Sequence, residues 1–144
     1  FICADNYSEP LHHLLDEMGV ILGLLFQRSD DLLDFDIRNY ERKAVLGDLK
    51  SGYLNSFGAF LSAQLTEDRR SELKECSSME AVLALVGVEF FNGKLERFDE
   101  INSQLIQLYS HHLDALADML PLSQQGVRTD LERLPELLYW RKSP

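Results

Sequence analysis

Cysteine, proline and basic side chains are all scarce in this chain, and each scarcity excludes something. Cys3 and Cys76 are the two cysteines, far apart and without metal-ligand spacing. That excludes a disulfide-built scaffold and leads to the expectation of free thiols in a cytoplasmic protein. The four prolines leave long stretches free to be helical, and Pro121 and Pro144 fall at expected helix ends. Alternation of apolar and polar residues, the mark of a half-buried strand, is nowhere sustained. Lys and Arg number 14 against 24 Asp and Glu, a net charge of −10. A nucleic-acid partner needs clustered basic residues and is not expected. The longest apolar run, Met18 to Phe26, is too short to cross a bilayer, so no transmembrane segment is expected. Nothing resembles a signal peptide.

Hydrophobic residues make up 45% of the 144, enough to bury a core and consistent with one domain spanning 1–144. The chain opens Phe1-Ile2-Cys3-Ala4, which reads as the interior of a helix, so part of a longer protein is expected to be missing. The fold class expected is all-α, a helical bundle. Ser8-Glu9-Pro10 marks a helix start. Leu11, Leu14, Leu15, Met18, Leu22, Leu25 and Phe26 continue it at helical spacing, through a following acidic cluster. Gly19 and Gly23 in that helix are spaced for close approach of a neighbour. Residues 36–52 read as an ordered loop, Leu54 to Leu65 as a buried helix, and Thr66 to Cys76 as an exposed one. Ser77 and Glu80 form a capping box before the apolar run Val82 to Phe91, which Asn92-Gly93 should end. A long amphipathic helix carrying Leu95, Phe98, Ile101, Leu105, Leu108, His112, Leu116 and Met119 should then run to Pro121. After a loop at 124–129, Leu131 to Trp140 closes the chain.

The acidic cluster is the chemical centre of the sequence. Asp30, Asp31 and Asp34 stand within five residues at the end of an apolar helix. One turn separates Asp30 from Asp34, so a helix would set both on one face with Asp31 beside them. Like charges so placed repel by about 0.2–0.5 kcal/mol per pair on an isolated helix. A hard divalent cation turns repulsion into ligation, and Mg2+ is typically held by one or two carboxylates together with substrate phosphates. A solvated acidic helix end is the alternative.

The flanking residues tip the balance. Gly23, Phe26 and Gln27 precede the aspartates, and Lys43, Gly47, Asp48, Leu49 and Gly52 follow. From about Gly19 to Gly52 the chain resembles the trans-isoprenyl diphosphate synthases, or polyprenyl synthetases. Their second aspartate-rich motif reads Gly-x-x-Phe-Gln-x-x-Asp-Asp-x-x-Asp. The resemblance implies the second half of the isoprenoid synthase bundle. It implies condensation of isopentenyl diphosphate with an allylic diphosphate, using Mg2+, in a homodimeric enzyme. Carried over residue by residue, Asp30 is the leading Mg2+ ligand and catalytic carboxylate, with Asp31 and Asp34 in support. Lys43 is the catalytic lysine that holds diphosphate, while Gln27 and Phe26 line the substrate cavity.

The chain also departs from the family pattern. Arg42 stands where the family has glycine, Tyr53 where it has a second lysine, and Asn55 where threonine is frequent. The first aspartate motif, followed by Arg-Arg-Gly, is absent; Arg69-Arg70 lies in a charged segment with no glycine after it. Catalysis is therefore expected only with an N-terminal half, from the same protein or a companion chain. A non-catalytic partner subunit and a ligand-free helical interaction module are the competing readings. A terpene cyclase fits less well, because its second motif carries Asn, Ser or Thr with Glu.

The remaining candidates read as structural. His12-His13 and His111-His112 are adjacent pairs, about 100° apart on a helix and poorly set for joint ligation. Phe90, Phe91, Phe98 and Tyr109 read as core. Asp114 and Asp118 lie opposite the apolar stripe.

Overall fold

A computed structural model describes residues 8–35, 54–121 and 124–139. Six helices and no strand occur among them, so the chain is all-α. In order they are α1 (Glu9–Leu33), α2 (Ser56–Ser62), α3 (Glu67–Glu75), α4 (Met79–Val86), α5 (Val88–Met119) and α6 (Gly126–Leu138). The contacts sort into two compact units. One takes residues up to Phe26 and from Asn102 onward, and the other takes Gln27–Ile101. Each of the two long helices contributes to both.

In the first unit, Ser8 Oγ accepts the Leu11 N–H at 3.3 Å and starts α1, with Pro10 tolerated in the first turn. Leu11, Met18, Ile21 and Leu25 are buried, one stripe at intervals of 7, 3 and 4 residues. Among the described residues, Gly19 and Gly23 serve no close approach, since a Cβ built on either meets nothing within 4 Å. From Asn102 on, α5 buries Asn102, Tyr109, Leu113, Leu116 and Ala117. This stripe is rotated from the expected one, leaving Leu108 and Met119 exposed. The rotation follows the partners of two polar tips. Asn102 Nδ2 donates to Tyr139 Oη at 3.1 Å, and Tyr109 Oη donates to the Leu131 carbonyl at 2.7 Å.

The second of these bonds has a clear cause. Pro135 sits inside α6. Proline has no N–H, so the Leu131 carbonyl loses its usual helical donor four residues on. Tyr109 supplies a donor in its place. Burial pushes the Tyr109 phenol above its ordinary value. Helix α6 begins at Gly126, several residues before the expected Leu131, and Gln125 Nε2 donates to the Ala117 and Leu120 carbonyls at the end of α5.

The second unit is organised around Phe57, fully buried on α2. Its ring meets Phe35, Phe91 and Phe98 edge-on, with centroids 5.1, 5.7 and 5.3 Å away. Such pairs contribute about 0.5–1.5 kcal/mol each beyond area burial. Gly58 lets α2 come close: an added Cβ would lie 3.3 Å from Leu54 Cδ2 and 3.5 Å from Phe35 Cζ. Phe90 is only half-buried; Lys94 Nζ lies 5.6 Å from its ring and 4.9 Å from that of Phe60.

Helix ends in this unit differ from expectation in two places. Ser78, not Ser77, caps α4 by accepting the Ala81 N–H at 3.1 Å. Asn92-Gly93 does not stop a helix, because α5 runs through it. The break falls earlier, at Gly87, whose φ of 87° is open to glycine and costly for other residues. Arg69 and Arg70 of α3 serve as caps. Arg69 Nη1 donates to the Leu85 carbonyl near the end of α4 at 2.7 Å. Arg70 donates to the Ser62 and Ala63 carbonyls at the end of α2, both at 3.0 Å.

Candidate functional site

Helix α1 ends at Leu33, one residue short of the third aspartate. The last turn tightens as the Asp34 N–H bonds to the Asp31 carbonyl and the Phe35 N–H to the Leu32 carbonyl, at 3.3 and 3.1 Å. The face expected to carry Asp30 and Asp34 together is therefore interrupted. Asp30 is half-buried on the helix, and Asp34 is wholly buried in the turn after it.

Asp31 holds the structure together. It is 4% exposed, and three donors converge on its carboxylate. Gln27 Nε2 reaches Oδ1 at 3.0 Å, and the Ser56 N–H and Oγ–H reach Oδ2 at 3.0 and 2.6 Å. Ser56 opens α2, so the carboxylate sits where a helix leaves its N–H groups unsatisfied and its dipole favours negative charge. Asn55 completes the clasp. Its Oδ1 accepts the Gly58 N–H at 2.9 Å as the cap of α2, while its Nδ2 donates to the Asp31 carbonyl at 3.0 Å. A burdened helix end is thereby tied to the start of another helix 25 residues on.

The other expected site residues fall differently. Gln27, exposed, serves Asp31. Phe26 is 56% exposed. Lys43 lies outside the described residues, as do Arg42, Asp48 and Tyr53. Ser29, between Gln27 and Asp31 in sequence, is buried with no hydrogen-bond partner for its hydroxyl among the described residues, and nothing in the structure explains it. Sequence reasoning missed Asn55 and Ser56. The signal was there: Asn is a preferred helix cap, and an apolar run follows it directly.

Among the described residues, no three His, Cys, Asp or Glu side chains gather where a metal ion could be held. Both Asp31 oxygens already accept protein donors, and Asp34 is buried beyond the helix end. Three of the four histidines lie beside carboxylates: His12 by Asp16 at 3.3 Å, and His13 and His112 by Glu17 at 3.0 and 3.2 Å. Among the described residues, no helix is long and apolar enough to cross a membrane.

No protein-family model matches the chain, and no match is found among curated proteins or solved structures. The function rests on the chain's own residues.

Proposed function

We propose that this chain carries the second-motif portion of a trans-prenyltransferase that condenses isopentenyl diphosphate with an allylic diphosphate. One observation carries the reading: the run Gly23, Phe26, Gln27, Asp30, Asp31, Asp34 stands at the end of an apolar helix in an all-α chain. In this reading Asp30 is the carboxylate offered to Mg2+. Asp31 is a positioning residue that holds the turn in place, and Lys43 binds diphosphate. The first aspartate motif comes from an N-terminal half or companion chain. A cytoplasmic homodimer belongs to the same reading.

A specific observation favours a second reading, a non-catalytic partner subunit. Asp31 is engaged by Ser56 and Gln27, and Tyr53 stands where the family has a lysine. An enzyme needs diphosphate affinity at this site; a partner subunit does not.

Thermal unfolding of the complete protein, with Mg2+ and inorganic diphosphate, tests the first reading. A ligand at one hundred times its Kd stabilises by about 2.7 kcal/mol, a readily measured shift. Asp30→Asn should remove that shift and abolish condensation. An unmoved melting temperature would sink the enzyme reading and leave the partner subunit or a ligand-free interaction module.

A further inference from the structure

We draw no further inference here: the strongest candidate, the apolar groove between α1 and α5 lined by Val20, Leu24, Leu105 and Leu108, carries none, because nothing in the structure shows what covers it and the Glu17 carboxylate at its rim is already engaged by His13 and His112.

Discussion

Replacing Asp31 with alanine tests the account of the α1–α2 clasp most directly. The side chain is 4% exposed, and its carboxylate accepts two hydrogen bonds from Ser56 and one from Gln27. Hydrogen bonds to a charged acceptor contribute about 1.5–3 kcal/mol each where water is excluded. The Gln27 bond lies on an exposed side chain and counts for little. The two Ser56 bonds alone therefore predict a loss of about 3–6 kcal/mol, a large share of the ~5–15 kcal/mol typical of a folded domain. Asp31→Asn keeps one oxygen for Ser56 without the charge and should lose about half as much, because neutral acceptors bond roughly half as strongly. Urea denaturation followed by circular dichroism gives both values. Hydrogen exchange at the amides of residues 56–62 localises the effect. Ser56→Ala should add little in the Asp31→Ala background, since the hydroxyl has by then already lost its acceptor. If Asp31→Ala stays within about 0.5 kcal/mol of the parent, the usual range for surface substitutions, the carboxylate is not the clasp and the geometry has been misjudged.

Three further outcomes follow. Tyr109→Phe strands the Leu131 carbonyl and should lower stability by about 1–2 kcal/mol; in a Pro135→Ala background the penalty should shrink, because an alanine there restores the helical N–H donor. The raised Tyr109 pKa gives its contribution a direction in pH. It is whole below the unfolded value near 10, is lost as pH climbs through the folded value, and should vanish from the alkaline unfolding profile of Tyr109→Phe. Gly19→Ala and Gly23→Ala, in open helical positions, should each stabilise by about 0.5–1 kcal/mol in thermal melts; a loss would reveal a neighbour packed there. Gly87→Ala should lower stability by about 1–3 kcal/mol, since φ is 87° although the space is open; a neutral result would mean that the corner can relax.

Local chemistry made much of the fold legible. Ser8 caps the helix whose start it was expected to mark, the helix expected over Thr66 to Cys76 forms between those two residues as caps, and the apolar spacing from Leu11 to Leu25 marks α1. What failed was non-local or stereochemical. Gly87 hides inside an apolar run, and hydropathy cannot see a positive φ. Gly93 looked like a stop, but about 1 kcal/mol of glycine penalty is small beside the burial along a helix of 32 residues. The stripe on α5 turned because Asn102 and Tyr109 have partners on α6 and just beyond it, and apolar periodicity does not count polar tips. At the candidate site, the residue types were readable and their division of labour was not. Spacing makes Asp30, Asp31 and Asp34 equivalent. Ser56, 25 residues from Asp31, makes them different.

Gly87 also governs phase. A single residue joins α4 to α5, so there is no slack in which an angular error could be absorbed. Each residue of a helix advances about 100°. One residue inserted between Gly87 and Phe91 would swing Phe91 and Phe98 by that angle, carrying both rings away from Phe57. Length in this stretch is thus held as tightly as side-chain identity: a conservative substitution can be accommodated here, and a one-residue insertion or deletion cannot.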